Sequence, residues 1–175
     1  CHNKIMKLYN TLTGKKEAFK PKRSKKVNLF VCGPTVYDYS HLGHARTYIA
    51  FDVMAKYMKE KWFDVFYLQN ITDIDDKIIQ RAKEKNITAA KLAENFEKEY
   101  LQDMKSLRVD SVQKYARATD YIKEIITQVE TLKEKGFAYQ IADGVYYDIG
   151  QFKNYGKLSR RTILQAEDAV SGIDE

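Results

Sequence analysis

CGPTVYDYSHLGH, residues 32–44, is the stretch of sequence that decides the fold of this chain. Residues 27–31 before it are mostly apolar, rich in β-branched and aromatic side chains, and stopped by Gly-Pro, which predicts a strand. A helical periodicity begins near Gly43, and residues 65–68 then form a second apolar run without alternation, as in a parallel strand covered on both faces. Strand, helix and strand in this order predict a βαβ unit of an α/β fold. The quoted stretch would lie at the carboxyl end of the first strand, where open parallel sheets bind ligands.

Apolar rows with a spacing of four residues mark two of the predicted helices, the one that fades near Trp62 and the one after Thr88. Because side chains four residues apart share one helix face, we expect these rows to be buried. The rows are Ile49, Val53 and Tyr57, then Ala50, Met54 and Met58, and in the later helix Leu92, Phe96, Tyr100 and Met104.

The rest of the chain predicts further helices, a hairpin and a basic loop. Helices are expected over residues 75–85, after a cap at Thr88, and over residues 119–135. Asp143-Gly144 stands between two runs of apolar and aromatic residues, which predicts a β-hairpin. The basic run at 15–26 is interpreted as a solvated loop.

Charge and composition limit the classes of protein to which this chain can belong. The 175 residues carry a formal net charge of +6 and a pI of about 9.1, which suits a nucleic-acid partner but also occurs in proteins that bind none. The two cysteines, Cys1 and Cys32, form no disulfide framework, so we expect a reducing, cytoplasmic location. No apolar run approaches the ~20 residues that span a bilayer, so no membrane partner is expected.

His41 and His44 are the first candidates for chemistry. They lie three residues apart at the predicted start of a helix, where free N–H groups and the positive dipole end favour an anion. Both imidazoles can donate hydrogen bonds to phosphate oxygens, and Gly43 between them leaves the backbone open to a base or a ribose. The pattern therefore predicts a site for a nucleoside triphosphate. A metal-binding pair and two solvent-exposed side chains are the alternatives that the spacing leaves open.

Cys32 and the residues after the second predicted strand are expected at the same crevice. Cys32 is either a small buried apolar residue or a ligand. Asn70, Thr72 and Asp73 follow the second strand, and the carboxyl ends of neighbouring parallel strands share one sheet edge. The aspartates at 75–76 are interpreted as the start of the next helix, where acidic groups suit the dipole, rather than as Mg²⁺ or Ca²⁺ ligands.

Taken together, these segments resemble the cysteinyl-tRNA synthetases, which are class I enzymes. The resemblance rests on LFVCGPTVYD at 29–38, HLGHART at 41–47 and NITDIDDK at 70–77, and extends to LYNTLT at 8–13, RAT at 117–119 and the hairpin at 136–149. It implies the first half of a class I synthetase Rossmann-like nucleotide-binding fold, with a parallel sheet, over residues 1–108. The composition changes near residue 108, and residues 109–175 are expected to begin an α+β insertion.

The resemblance also implies how ATP is bound. Residues 41–44 match the family's HIGH signature, with Leu42 in place of Ile. His41, Gly43 and His44 are therefore expected to bind ATP, which Mg²⁺ would accompany, and the two histidines to stabilise the adenylation transition state.

The amino-acid site is implied by the same resemblance. Cys32 matches the first ligand of the family's zinc ion, which binds the substrate thiolate, and a soft thiolate prefers zinc where serine's hydroxyl does not. Thr35 and Thr72 match positions that line the cysteine pocket. The implied reaction activates L-cysteine with ATP and then transfers the cysteinyl group to tRNA(Cys).

Parts of the family's machinery have no counterpart in the sequence. No Cys follows Cys32, no His follows His44, and a KMSKS-type loop is absent. The family completes its zinc site with a second Cys, a His and a Glu, which would come from outside this chain, so we expect the chain alone to be inactive. Cys1 and His2 lie outside the resemblance and are interpreted as a leader or an added segment.

Two other functions and two oligomeric states stay open on the sequence. The cysteine-ligating enzyme of mycothiol synthesis resembles the same half and joins cysteine to an amino sugar. A binding module for tRNA or nucleotide without catalysis is the second alternative, which the missing ligands favour. The protein is expected to be a monomer or a homodimer.

Overall fold

A computed structural model describes residues 5–22 and 24–160 of the protein. Within these residues no helix is long and apolar enough to cross a membrane. The elements in chain order are β1 (Lys7–Asn10), β2 (Lys15–Ala18), β3 (Lys26–Val31), α1 (Leu42–Glu60), β4 (Asp64–Ile71), α2 (Asp76–Glu84), α3 (Ala89–Ser106), β5 (Lys114–Arg117), a 3₁₀ turn (Ala118–Tyr121), α4 (Ile122–Glu134), β6 (Ala138–Ile141), β7 (Gly144–Tyr147) and a second 3₁₀ turn (Ile149–Gln151).

One compact unit, Pro21–Ile122, contains a three-stranded parallel sheet in the order β3-β4-β5. β3 pairs with β4 from Lys26 opposite Asp64 to Val31 opposite Gln69, and α1 is the crossover between them. The predicted α/β fold and its βαβ unit are therefore confirmed.

β5 is a third parallel strand that the sequence did not predict. It pairs with β4 through only four residues, from Leu68 opposite Lys114 to Ile71 opposite Arg117. Its sequence, KYAR, has no apolar run, so neither alternation nor hydrophobicity marks it as a strand. The sheet thus continues beyond residue 108, while the division of the chain into a catalytic domain and an insertion at that point stays a prediction.

Within this unit, the helices cover one face of the sheet. Val65, Tyr67, Gln69 and Ile71 alternate along β4 and are all buried. On the opposite face Phe66 is 44% exposed and Phe30 of β3 is 62% exposed. The expectation that this strand is covered on both faces is therefore wrong for the part of the chain that the structure describes, where β4 alternates like a half-buried strand.

The buried face of α1 also differs from the predicted one, although Met58 of the second predicted row is buried. Its buried residues are Tyr48, Asp52, Ala55 and Met58, whereas Ile49, Val53 and Tyr57 are exposed. The helix is turned this way by a polar residue. Asp52 faces inward because its carboxylate accepts hydrogen bonds from the backbone N–H groups of Asp110 (3.0 Å) and Ser111 (2.8 Å). A carboxylate with such partners occupies the centre of a helix face that an apolar pattern alone would turn toward solvent.

The predicted α2 and α3 are confirmed. Asp75 caps α2, with its carboxylate accepting from the Lys77 N–H at 2.9 Å, and the Thr88 hydroxyl caps α3 by accepting from the Lys91 N–H at 3.2 Å. The predicted row of α3 is buried, and part of it joins one apolar cluster with α2 and the strand ends. That cluster is Val36, Ile71, Ile78, Ala82, Leu92, Ala93 and Phe96.

The second unit combines the chain before Pro21 with the chain after Ile122. β1 and β2 form an antiparallel hairpin, so the prediction of a loop over residues 15–26 is wrong at Lys15–Ala18. The predicted later helix is confirmed as the 3₁₀ turn and α4, and Gly136 follows α4 with a φ of 74°. The predicted hairpin is confirmed as β6–β7, in which Ile141 pairs with Gly144, so the two-residue loop begins one residue earlier than Asp143.

Candidate active site

The two segments that follow β3 and β4 continue side by side beyond the strand ends. The Thr72 N–H donates to the Pro34 carbonyl at 3.0 Å, and the Val36 N–H donates to the Thr72 carbonyl at 3.1 Å. Thr35 and Thr72 thereby form an isolated parallel bridge. The structure thus brings together the two threonines that the resemblance assigns to one pocket.

Asn70 ties these segments together from the side. Its Oδ1 accepts a hydrogen bond from the Gly33 N–H at 2.9 Å, and its Nδ2 donates to the Thr72 hydroxyl at 3.3 Å. A Cβ on Gly33 would lie 1.7 Å from the carbonyl oxygen of Asn70. Only glycine permits this approach, a requirement that the sequence signals only by the Gly-Pro pair after the strand.

His41 and His44 close a reciprocal capping box at the start of α1. The Gly43 N–H donates to Nδ1 of His41 at 3.0 Å, and the His41 N–H donates to Nδ1 of His44 at 3.2 Å. The two rings stack with their centroids 4.0 Å apart. A Cβ on Gly43 would lie 2.7 Å from Cε1 of His41, so a side chain there would displace the capping ring. In this capping box the two side chains are imidazoles, whereas the motif usually has Ser or Thr at the N-cap and Glu three residues later.

The capping box fixes the tautomer of both histidines. An imidazole nitrogen that accepts a hydrogen bond carries no proton, so Nδ1 is bare in each neutral ring and Nε2 carries the proton. Each ring therefore presents an N–H donor on the side away from the helix backbone. A metal ion would have to displace a backbone N–H to reach either lone pair, which disfavours the metal-binding alternative for this pair.

The environment of His44 keeps its ring neutral. Burial, and next the electrostatic effect of the neighbouring His41, lower the pKa of His44. The ring also lies nearly parallel to that of Tyr48, one turn further along α1, with a centroid distance of 6.2 Å. A neutral ring is the form that the capping box requires, because an imidazolium cannot accept at Nδ1.

Cys32 is a free and exposed thiol at the end of β3. Its exposure excludes the buried apolar role, because that role requires a buried side chain, and the role of a metal ligand stays a prediction. Within residues 5–22 and 24–160 no three His, Cys, Asp or Glu side chains gather into a metal-binding group, and Cys1 and His2 lie outside the described residues.

Asp73 and the RAT motif at 117–119 make hydrogen bonds that stabilise this edge of the sheet. The Asp73 carboxylate accepts from the backbone N–H of Thr119 at 3.0 Å and from its hydroxyl, so it holds the turn after β5. Arg117 donates twice to the carboxylate of Glu97, at 2.8 and 2.6 Å. Thr35 and Thr72 are therefore paired with each other, whereas Asp73 is bonded to Thr119, and a common binding site for Cys32, Thr35 and Thr72 stays a prediction.

Comparison with known proteins gives a consistent result. A family model described as the class I (C) tRNA synthetase catalytic domain matches residues 18–174. The chain is similar to a protein of Pyrococcus horikoshii named cysteine–tRNA ligase, with 56% identity over 88% of this chain and 32% of the relative. Proteins of the same name from Thermococcus kodakarensis and Thermoplasma volcanium are 52% and 54% identical, over 95% and 91% of this chain and 34% and 35% of theirs. The chain thus spans about a third of the length of these relatives.

Solved structures support the fold. A Mycobacterium tuberculosis methionyl-tRNA synthetase in complex with methionyl-adenylate matches with a TM-score of 0.62. The match covers 66% of this chain and 23% of that protein, at 21% sequence identity.

Proposed function

This chain belongs to the class I (C) tRNA synthetase catalytic-domain family, and we propose that the whole protein joins L-cysteine to tRNA(Cys) with ATP. The observation that carries the proposal is the capping box of His41 and His44, which leaves two Nε2–H donors at the amino end of α1. The relatives named cysteine–tRNA ligase support the choice of amino acid.

ATP would bind at this end of α1. His41 and His44 would donate to its phosphates from Nε2, at the positive end of the α1 dipole. Gly43 keeps both the cap and the backbone accessible, because a side chain there would meet the ring of His41. Mg²⁺ is proposed to accompany ATP, as in other phosphoryl-transfer sites.

The proposed chemistry has two steps. The cysteine carboxylate attacks the α-phosphorus of ATP, the bond from that phosphorus to the bridging oxygen breaks, and pyrophosphate leaves. A ribose hydroxyl of the terminal tRNA adenosine then attacks the carbonyl carbon of cysteinyl-adenylate, and AMP leaves. Fixed donors stabilise the charge that grows on the phosphates, and they need no reorganisation when the reaction occurs.

Cys32 is proposed as one ligand of a zinc ion. Its thiol is exposed and free, which suits a ligand, and thiolate is a preferred donor to zinc. The other ligands would come from outside the described residues. When bound, zinc would recognise the sulfur of the substrate as a soft Lewis acid.

Thr35 and Thr72 are proposed to line the amino-acid site, because their bridge lies at the same sheet edge as Cys32. We also propose that the protein is cytoplasmic, that tRNA is its partner, and that it is a monomer or a homodimer. The family supports these proposals, and the net charge of +6 supports the tRNA partner.

Cysteine-dependent exchange of pyrophosphate into ATP, followed by acylation of tRNA(Cys), tests the proposal on the whole protein. We expect exchange with cysteine, weak exchange with serine, and acylation of tRNA(Cys). Exchange without acylation, together with transfer to an amino sugar, would favour the mycothiol-type ligase. ATP binding without exchange would leave a binding module and refute the catalytic proposal.

A further inference from the structure

Asn70 is the polar side chain that links the turn after Cys32 to the Thr72 hydroxyl. The Gly33 N–H can donate only to the oxygen of the Asn70 amide, and it does so to Oδ1 at 2.9 Å. The amide nitrogen must then point at Thr72, where it donates to Oγ1 at 3.3 Å. The orientation of the amide is thus set by a backbone donor that cannot rotate.

The direction of this second bond determines what the Thr72 hydroxyl can do. A threonine hydroxyl has one proton and two lone pairs, and Asn70 occupies a lone pair. Among the residues that the structure describes, no acceptor takes the Thr72 proton. The proton is free to be donated to a ligand, and Thr72 is half-buried, so it remains accessible at the crevice.

We infer that Asn70 is a positioning residue that holds the Gly33 turn and makes the Thr72 hydroxyl a hydrogen-bond donor to an acceptor atom of the amino-acid substrate. The inference rests on the proposed function for the identity of that substrate. The carboxylate is the strongest acceptor that an amino acid offers once its sulfur is bound elsewhere.

The backbone alone does not explain the side chain of Asn70. The two segments are already paired through the Thr72 N–H and the Val36 N–H, at 3.0 and 3.1 Å. Loss of the Asn70 amide would leave that pairing intact. The amide alone supplies both an acceptor for the Gly33 N–H and a donor to the Thr72 hydroxyl. A substitution can remove one of these two hydrogen-bonding roles and keep the other.

Asn70→Asp separates them because the two side chains have the same shape. One carboxylate oxygen still accepts from the Gly33 N–H, so the turn is retained. The other oxygen has no proton, so the Thr72 hydroxyl must donate to it and is lost to the substrate. Asn70→Ala removes both bonds, and Thr72→Val removes the hydroxyl itself.

The test uses cysteine-dependent pyrophosphate exchange by the whole protein. For Asn70→Asp we expect the KM for cysteine to rise roughly fivefold, the factor of one typical hydrogen bond, while the KM for ATP stays unchanged. Asn70→Asp in a Thr72→Val background should add nothing, because both changes remove the same donor. An effect of Asn70→Asp that persists in the Thr72→Val background would show that the new charge acts directly and would overturn the inference.

Hydrogen exchange at the Gly33 amide provides a readout without substrate. Exchange should be slow in wild type and in Asn70→Asp, and fast in Asn70→Ala. Asn86→Asp is the control for charge, because Asn86 is exposed in the turn between α2 and α3, and its KM values should equal those of wild type. An inactive wild type would overturn the proposed function and the claim about substrate, whereas fast exchange at Gly33 in an active wild type would overturn the role of Asn70 alone.

Discussion

Replacing Gly33 with alanine should separate the two strand ends on which the proposed site is built. The added Cβ would lie 1.7 Å from the carbonyl oxygen of Asn70, whereas real Cβ contacts essentially never fall below 3.0 Å. The obstacle is backbone, so it cannot rotate away, and the segments must move apart by roughly 1.3 Å or more. That displacement would also stretch the bond from the Gly33 N–H to Asn70 Oδ1, now 2.9 Å, beyond hydrogen-bonding range.

We expect Gly33→Ala to lower the free energy of unfolding by about 1–3 kcal/mol, as overpacking usually does. A misplacement of about 1 Å at a reacting centre costs roughly 100-fold in rate, so kcat/KM for cysteine in pyrophosphate exchange should fall by about that factor. Thermal unfolding and exchange on the whole protein measure the two effects. Gly144→Ala is the control, because its Cβ would meet only a Tyr146 ring atom at 3.6 Å. A Gly33→Ala protein with wild-type kcat/KM and unfolding midpoint would refute the close approach.

Two further predictions concern titratable side chains of α1. His44→Gln keeps an acceptor for the His41 N–H but removes the titrating ring. Burial lowers the pKa of His44 from 6.5, so the unfolded state binds the proton more readily than the folded state. The wild type should therefore lose stability as the pH falls from about 6.5 through the lowered pKa, and it should lose none above pH 6.5. Thermal unfolding from pH 8 to pH 5 should show this acid loss in the wild type and less of it in the variant, and equal profiles would contradict the capping role. Burial raises the pKa of Asp52, but hydrogen bonds from Lys56 and Ser111 outweigh it and lower the pKa overall, so Asp52→Asn should cost about 1–3 kcal/mol in urea unfolding. Asp110→Asn, at a side chain that is 72% exposed, should cost much less, and equal losses would show that Asp52 is no anchor.

The parts of the fold that could be predicted are those in which local pattern and tertiary environment agree. The βαβ unit was predicted because β3 and β4 are apolar runs and a Gly-Pro pair ends the first. The row from Leu92 to Met104 is buried as predicted because its apolar side chains share the face that α3 turns to the core. β5 and the inner face of α1 were missed for the opposite reason. β5 is a strand because β4 offers it a partner, and α1 is oriented by the carboxylate of Asp52, which no apolar pattern reveals.

Much of the candidate site could be predicted as a set of residues but not as an arrangement. The spacing of His41 and His44 indicated a phosphate site, yet it also allowed a metal pair. The structure disfavours that alternative because both Nδ1 atoms accept backbone hydrogen bonds. A sequence signal existed, since an N-cap residue and the residue three positions later form a capping box, but imidazoles rarely fill both positions. The place of Gly33 against Asn70 depends on two segments 37 residues apart, and no local pattern reports such a distance.

The histidine capping box also determines how this end of α1 should respond to chemical labelling. A neutral imidazole attacks electrophiles through its unprotonated nitrogen, and in His41 and His44 that nitrogen is occupied by a backbone N–H. Acylating or alkylating reagents should therefore modify both rings slowly as long as the first turn of the helix is closed. A covalent inhibitor aimed at this site would have to be designed for another nucleophile, and the exposed thiol of Cys32 offers one.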